Sequence, residues 1–268
     1  MTDGILSAPQ RLIKFRCSSL GKLMTDPTAA AAKAGEVLSV GAKTYVRQLA
    51  AEEIFGVDFV VTSKQMEKGV ACEQQSIDLF NSVRGLSLVK NAERKTNAWI
   101  TGEADLFNAS AKRGHDIKTS WSIATFPICE ADCEDKLYEW QMRGYMALWD
   151  ADEWEVNYAL LDTPDHLIGY EPMQLHIVSH IPEHMRLTRW TVKRCPDKES
   201  AIFDRVKAAR DYYAQVIRDF DAAHRERWTD EGADTFPPEP VETADPLAAP
   251  WALPTSPIDR PALAPADF

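Results

Sequence analysis

The chain has 268 residues, of which 45% are hydrophobic and 26% are charged, and its formal net charge at pH 7 is -11. These proportions are ordinary for a globular protein, and no apolar run reaches the roughly 20 residues of a membrane-spanning helix, which argues against an integral membrane protein. The first residues lack the basic and apolar regions of a secretory signal, and the five cysteines are scattered, so we expect reduced thiols and a cytoplasmic location.

The negative charge is concentrated near the C-terminal end of the sequence. Residues 229–268 carry seven of the eleven excess negative charges, and the part from Phe236 onward contains nine of the sixteen prolines. Segments rich in Pro, Ala and acids rarely bury enough apolar surface to fold. We therefore predict one folded domain over 1–228 and a disordered tail over 229–268. The body is only weakly acidic, so its charge does not exclude a nucleic-acid partner.

Three helices are predicted in the first part of the domain. Apolar residues at helical spacing place them over 18–23, 41–55 and 63–83. Ser63 is a suitable N-cap for the third helix, and Gly85 is suited to end it. The apolar residues that we expect this third helix to bury are Met66, Val70, Ile77, Leu79 and Phe80.

After Gly85 the sequence changes to short apolar runs bounded by turn residues, which is typical of strands. Strands of one sheet are expected over 86–89, 98–100, 104–107 and 115–118. Beyond a helix over 135–149, further strands are expected at 154–161, 173–178 and 189–193, followed by a long helix over 199–228. This order predicts a mixed α/β fold in which helices flank a central mixed sheet.

An acid and a base are separated by one residue in the strand that contains Asp116, Ile117 and Lys118. Because side chains alternate along a strand, Asp116 and Lys118 are expected on the same face. A hairpin would bring Asp105 beside Asp116. Two carboxylates this close repel each other, and a shared divalent cation is the simpler explanation for such a pair. Mg²⁺ prefers oxygen ligands, so the two acids and the backbone carbonyl of Ile117 would suffice.

Glu73 is a candidate for a third carboxylate at this site. It lies on the preceding predicted helix, one turn beyond Gly69, whose lack of a side chain is expected to let the helix approach the sheet. In this arrangement Lys118 would orient a water molecule and stabilise charge developing on a phosphorus centre. Taken alone, an Asp-x-Lys pair is commonly a solvated pair at a sheet edge, and Glu73 could be an ordinary exposed helix acid. The combination of Glu73, Asp105, Asp116 and Lys118, in this order along the sequence, favours an active site.

The ordered set of Glu73, Asp105, Asp116-x-Lys118, Gln141 and Tyr145 resembles the motifs of the PD-(D/E)XK nuclease superfamily. It is most similar to the phage recombination exonucleases of the lambda and YqaJ types. The resemblance implies a restriction-endonuclease-like core and hydrolysis of linear double-stranded DNA, commonly 5′ to 3′, with Mg²⁺ or substituting Mn²⁺. It also implies that Gln141 supports the active site and that Tyr145 is a further supporting residue. The Asp at 116 departs from the Glu that these exonucleases commonly have.

The resemblance has further implications for DNA ends and partners. It implies that Arg16 with Ser18 or Ser19 binds a terminal 5′-phosphate, and a helix N-terminus beside an Arg suits that task. An ordinary surface Arg next to a helix cap is the alternative interpretation. The family also implies a single-strand annealing partner and a trimeric ring. Two other functions remain open, a structure-specific or restriction-type endonuclease and a non-catalytic DNA-binding module on the same fold.

A basic group near the last predicted helix is compatible with phosphate contacts or with a solvated helix face. Its members are Lys193, Arg194, Lys198, Arg205, Lys207 and Arg210.

Overall fold

The computed structural model describes residues 13–230, with side chains described up to residue 224. The chain divides into two compact units, Met1–Phe220 and Asp221–Phe268, and the first contains all the strands described below. The tail predicted over 229–268 lies outside the described residues except for its first two positions.

Within residues 13–230, seven strands form two mixed sheets rather than the single sheet that was expected. The strands are β1 (Phe15–Arg16), β2 (Arg94–Thr96), β3 (Ile100–Glu103), β4 (Leu106–Asn108), β5 (Arg113–Ser120), β6 (Glu153–Leu160) and β7 (Leu187–Lys193). One sheet has the order β1-β3-β2 and the other has the order β4-β5-β6-β7. In the second sheet β4 and β5 are antiparallel, β5 and β6 are parallel, and β6 and β7 are antiparallel.

Eight α-helices surround these sheets in the part of the chain that the structure describes. They are α1 (Leu20–Leu23), α2 (Ala29–Lys33), α3 (Val40–Phe55), α4 (Lys64–Ala71), α5 (Glu73–Arg84), α6 (Lys136–Trp149), α7 (Asp165–Ile168) and α8 (Pro196–Asp230). None of them combines the length and apolar character that crossing a membrane requires. The fold is therefore mixed α/β, as the sequence predicted.

Helix α6 packs against both sheets, chiefly against β3 of the first sheet and β6 of the second. It begins at Asp135, whose carboxylate caps the helix by accepting the N–H groups of Leu137 and Tyr138. Met142 and Met146 on its inner face are completely buried in the main hydrophobic core. This packing brings α6 directly over the β4–β5 hairpin, where the predicted site residues lie.

The helix expected over 63–83 is interrupted at Cys72, so that α4 and α5 are separate helices. The expected burial of Met66 and Val70 is wrong, because their exposed fractions are 56% and 80%. The opposite face of α4 is buried instead. Its Lys68 ammonium donates to the carbonyls of Ser120, Trp121 and Leu161 at 2.8, 2.9 and 2.8 Å, respectively. The three hydrogen bonds that Lys68 donates offset the free-energy cost of burying its ammonium group.

Two predicted strands are not strands in the described residues. Over 86–89 the backbone of Leu88 pairs with the side-chain amide of Asn81 at 2.8 and 3.0 Å, so a side chain takes the place of a neighbouring strand. Over 173–178 the chain forms a 3-10 turn, and the Asp162 carboxylate accepts the N–H of Val178. In both places a polar side chain satisfies backbone groups that a strand would have offered to a sheet.

Candidate active site

The β4–β5 hairpin brings Asp105 and Asp116 together, as the sequence predicted. Leu106 is paired with His115, so the next positions along the hairpin are Asp105 and Asp116. The Asp105 carboxylate accepts the backbone N–H of Ile117 at 2.7 Å. This hydrogen bond holds the Asp105 side chain against β5, beside the Asp116 side chain.

Lys118 lies on the same face of β5 as Asp116. Its Nζ is 2.8 Å from Oδ2 of Asp116 and 4.7 Å from the ring centroid of Tyr138. Burial lowers the pKa of Lys118, but the charge of Asp116 and the hydrogen bond to it outweigh burial and hold that pKa above its usual value. The ammonium therefore stays charged while 27% of the side chain remains exposed.

The two carboxylates have more negative charge than Lys118 neutralises. Burial raises the pKa of Asp105, and the charge of Asp116 raises it further, although the N–H of Ile117 and the charge of Lys118 oppose both effects. Oδ2 of Asp116 is buried and, apart from the ion pair with Lys118, accepts no hydrogen bond among the described residues. A cation with oxygen ligands would relieve this repulsion, so Asp105, Asp116 and the carbonyl of Ile117 fit Mg²⁺ chemically.

Gln141 and Tyr145 of α6 connect the acids to the other sheet. The side-chain amide of Gln141 donates to Oδ1 of Asp116 at 3.1 Å and to the Tyr145 hydroxyl at 3.2 Å. The Tyr145 hydroxyl in turn donates to the carbonyl of Glu103 at 2.9 Å. Gln141 is 6% exposed. This chain of hydrogen bonds fixes the orientation of the Asp116 carboxylate.

Gly102 on β3 allows the Tyr145 ring to come this close. A Cβ atom at Gly102 would lie 2.7 Å from Cε1 of Tyr145 and 2.9 Å from Sγ of Cys17, closer than real Cβ atoms approach other atoms. The tyrosine can therefore reach the Glu103 carbonyl only because this strand position has no side chain.

Glu73 is the first residue of α5, and its carboxylate forms an ion pair with Lys90. Its charge adds to the effects that raise the pKa of Asp105, after those of burial and of Asp116. Among the described residues, however, no three Asp, Glu, His or Cys side chains form a group that could hold a metal ion. The expectation that Gly69 lets its helix approach the sheet closely is wrong. A Cβ atom at Gly69 would meet no heavy atom within 4 Å.

Arg16 and Ser18 line a cavity of about 150 Å³ beside the Gln141 network. Arg94 lies in the same cavity, together with Glu103 and Tyr145. Arg94 forms an ion pair with the Glu103 carboxylate at 2.7 Å. Ser19 is not among the residues that line this cavity. The structure thus brings Arg16 and Ser18 together but not Ser19.

Most of the basic group near α8 is engaged within the protein. Arg194 bonds Asp150 and Glu199, Lys198 bonds Glu139, Arg205 bonds Asp26, and Arg210 donates to the carbonyls of Ile13 and Ala98. These contacts favour a structural role for those four side chains over phosphate binding.

Sequence reasoning missed three cations near the site, namely Lys68, Lys90 and Arg94. Lys68 supports the C-terminal ends of β5 and β6 through their carbonyls. Lys90 and Arg94 lie beside Glu73 and Glu103. The carbonyls that Lys68 binds are distant in sequence, and Lys90 pairs with an acid on a helix, so no periodic pattern distinguishes these two from solvated lysines. Arg94 is directly opposite Glu103 in the β2–β3 pair, but no strand was expected at its position. Only the basic character of the stretch from Lys90 to Lys95 was available as a signal.

Comparison with solved structures identifies similar proteins. A phage related exonuclease from Haemophilus somnus 129PT is 37% identical in sequence, with a TM-score of 0.73, and the match covers 78% of this chain and 96% of that chain. An alkaline exonuclease, LHK-Exo from Laribacter hongkongensis, is 14% identical with a TM-score of 0.54, covering 82% of this chain and 95% of that chain, and this second likeness concerns the fold alone. No protein-family model and no curated protein matches the chain.

Proposed function

Since this chain belongs to the phage exonuclease branch of the PD-(D/E)XK nuclease superfamily, we propose that it is a magnesium-dependent exonuclease that degrades linear double-stranded DNA from 5′ to 3′. The observation that carries the proposal is the placement of Asp105, Asp116 and Lys118 on one face of the β4–β5 hairpin. Two carboxylates with one ammonium are the groups that metal-assisted phosphodiester hydrolysis requires.

In this proposal Asp105, Asp116 and the carbonyl of Ile117 hold Mg²⁺, and Mn²⁺ can substitute for it. When bound, such a cation would supply Lewis-acid polarisation of the phosphodiester and would favour ionisation of the attacking water. Lys118 orients that water and stabilises the negative charge that develops on the phosphate oxygens. Gln141 keeps the Asp116 carboxylate in the orientation that these roles need, through the 3.1 Å hydrogen bond. Glu73 is the candidate for an additional carboxylate.

The direction of degradation would follow from how the DNA end is held. Arg16 and Ser18 share a cavity next to the Gln141 network, and an Arg with a hydroxyl suits a terminal 5′-phosphate. Tyr145, which lines this cavity, is connected to Asp116 through Gln141, so a 5′ end bound there would lie beside the hydrogen-bond network of the site. We therefore expect faster degradation of 5′-phosphorylated than of 5′-hydroxyl ends, and a smaller difference in an Arg16→Gln variant.

The same family membership supports two proposals about assembly. One is a homotrimeric ring, and the other is a single-strand annealing protein that receives the product strand. Sedimentation equilibrium of the full chain tests the first, and a trimer mass is the expected result. A monomer at micromolar concentration would contradict it.

The activity is tested with end-labelled linear duplex and with covalently closed circular plasmid, each with and without Mg²⁺. We expect the linear DNA to be degraded only with Mg²⁺ and the closed circles to persist. Lys118→Ala should lower the rate about 100- to 1000-fold, the range found when a single charge-stabilising donor is removed. Lys112→Ala is the matched control, because Lys112 lies in the turn before β5 and pairs with exposed Asp150.

Other outcomes of this experiment favour the other functions. Cutting of closed circles would favour the endonuclease. Binding of DNA without hydrolysis under every metal condition would favour the non-catalytic module. Equal rates for the wild type and Lys118→Ala would remove the basis for the proposed site.

A further inference from the structure

Lys90 forms an ion pair with the residue that was expected to complete the metal site. Its Nζ contacts Oε2 of Glu73, and the side chains are 46% and 40% exposed, respectively. Lys90 also interacts electrostatically with Asp105 and Glu103, two further acids of the site. Lys90 is thus in contact with Glu73, and the charges of two further acids act on it.

The backbone next to Lys90 is attached to the strand that contains Asp105. The N–H of Asn91 donates to the carbonyl of Asp105 at 2.8 Å, and the Asn91 side-chain amide donates to the carbonyl of Ala104 at 3.1 Å. The same amide also donates to the carbonyl of Glu93 at 2.8 Å. Lys90 is therefore held at the site by its own segment, and its position does not depend on the ion pair with Glu73.

We propose that Lys90 is a latch: its ion pair with Glu73 competes with a divalent cation at Asp105 and Asp116 for the Glu73 carboxylate, and the cation must draw that carboxylate from Lys90. The inference rests on the proposed function, because it requires a cation at the two aspartates. Lys90 is a positioning residue in this account, since it acts through Glu73.

The charges favour such an exchange. A divalent cation near Asp105 and Asp116 attracts the Glu73 carboxylate with twice the charge of an ammonium, and the half-exposed ion pair with Lys90 is weak because solvent screens it. Release of Glu73 also leaves the Lys90 ammonium unpaired beside the place where an anionic substrate would bind.

The latch predicts that the metal-free protein binds cations more weakly than its acids alone would allow. Lys90→Met removes the charge while keeping a side chain of similar length. Because the ammonium both competes for Glu73 and repels the ion, we expect this variant to bind Mn²⁺ about three- to tenfold more tightly. Lys90→Arg keeps the charge and should bind Mn²⁺ like the wild type.

The measurement is isothermal titration of the full-length protein with MnCl₂ in the absence of DNA, so that the readout does not depend on catalysis. Lys95→Met is the matched control, because Lys95 is on the same segment but contacts Glu93 at 3.9 Å and the Trp149 ring. It should leave the affinity within about twofold. In a Glu73→Gln background, Lys90→Met should tighten binding clearly less than in the wild-type background, because the competition for Glu73 is gone and only the direct repulsion between the ammonium and the ion remains.

The latch and the proposed function fail in different ways. An affinity in Lys90→Met that is unchanged or weaker would overturn the latch while leaving the metal site intact. An undiminished effect of Lys90→Met in the Glu73→Gln background would also overturn it, because the lysine would then act only as a distant charge. If Asp116→Asn binds Mn²⁺ as tightly as the wild type, the cation lies elsewhere, and the metal site of the proposed function fails together with the latch.

Discussion

At the scale of single residues, the candidate site depends on neighbours that fix each reactive group. Asp116 is bonded by Lys118 on its own strand and by Gln141 from α6. Lys118 lies over the ring of Tyr138, also from α6. The Asp116 carboxylate and the Lys118 ammonium each have a partner on α6. A small shift of that helix would therefore change the positions of both groups. The site is therefore more sensitive to α6 than the two strand residues alone suggest.

Gln141→Leu should reduce the rate of hydrolysis more than it weakens DNA binding. The substitution removes the only donor from α6 to the Asp116 carboxylate among the described residues and leaves the Tyr145 hydroxyl without that partner. A lost hydrogen bond to a charged group corresponds to about 1.5–3 kcal/mol, or a decrease in kcat of roughly 10- to 100-fold. Single-turnover rates at saturating enzyme would measure it. A changed KM with an unchanged kcat would contradict the assigned role.

At the scale of the elements, two features hold the sheets in position, and the first is the close approach of α6 to β3. The Tyr145 ring lies directly against Gly102, where any side chain would clash. The second is a buried ion cluster on β6, in which Glu155 contacts His115, Arg84 and Arg189 at 3.1, 2.9 and 2.8 Å. His115 faces away from the acids of the site and has a structural role.

Gly102→Ala should destabilise the protein by about 1–3 kcal/mol, the usual cost of overpacking a core. The added methyl group would be 2.7 Å from the Tyr145 ring and would displace it from the Glu103 carbonyl. Gly69→Ala is the matched control, since nothing lies within 4 Å of its Cβ position and alanine favours a helix. Urea unfolding of both variants would test this. A loss of stability in Gly69→Ala equal to that in Gly102→Ala would contradict the packing argument.

Glu155→Gln should destabilise the protein at pH 7 by about 3 kcal/mol, as expected when a buried ion pair loses one partner. Burial raises the pKa of Glu155, but hydrogen bonds from His115 and Arg84 and their charges outweigh burial and lower that pKa to about 2. A folded pKa below the unfolded one means that the stabilisation is complete above the ordinary glutamate pKa and is lost as the pH falls towards 2.

The difference in unfolding free energy between wild type and Glu155→Gln should therefore shrink as the pH is lowered from about 5 to 2.5. Denaturant unfolding at several pH values would measure it. Glu93→Gln, at an exposed pair 3.9 Å from Lys95, should have no measurable effect over the same range. A difference for Glu155→Gln that stayed constant with pH would argue against an ionised Glu155 in the fold.

At the scale of the whole molecule, charge is distributed in a way that bears on DNA binding. The candidate site combines acids with Lys90, Lys118, Arg16 and Arg94, and the first, second and fourth of these bases form ion pairs with acids there. Several bases near α8 are likewise paired with acids or carbonyls. Residues 231–268 contribute seven acids and one Arg, so more than half of the net negative charge lies outside the described residues. Their long-range repulsion opposes the approach of DNA.

Deleting residues 231–268 should strengthen DNA binding at low salt and leave the Tm nearly unchanged. The formal net charge falls in magnitude from -11 to -5, and electrostatic attraction to phosphates depends on that balance. Fluorescence anisotropy with labelled duplex at 50 and 200 mM salt would measure the change, which should be smaller at the higher concentration. Weaker binding by the shortened protein would indicate that the segment contributes contacts of its own.

The sequence by itself determined the features that depend on periodicity and short range. Alternation along a strand and the length of one turn were sufficient to place Asp105, Asp116 and Lys118 together, and helical spacing placed Gln141 and Tyr145 on the same helix face. Those relations are local, or depend on a single hairpin, so the residue pattern contains them. The mixed α/β fold followed for the same reason.

Only the tertiary structure decided which partners the remaining polar groups find. Lys68 is buried because carbonyls 52 to 93 residues away converge on it, and this reversed the expected face of α4. The pairing of Lys90 with Glu73 and the division of the strands into two sheets are likewise long-range outcomes. Periodicity indicates that a face is buried, but the energy of burying a charge depends on groups that are brought near only when the chain has folded.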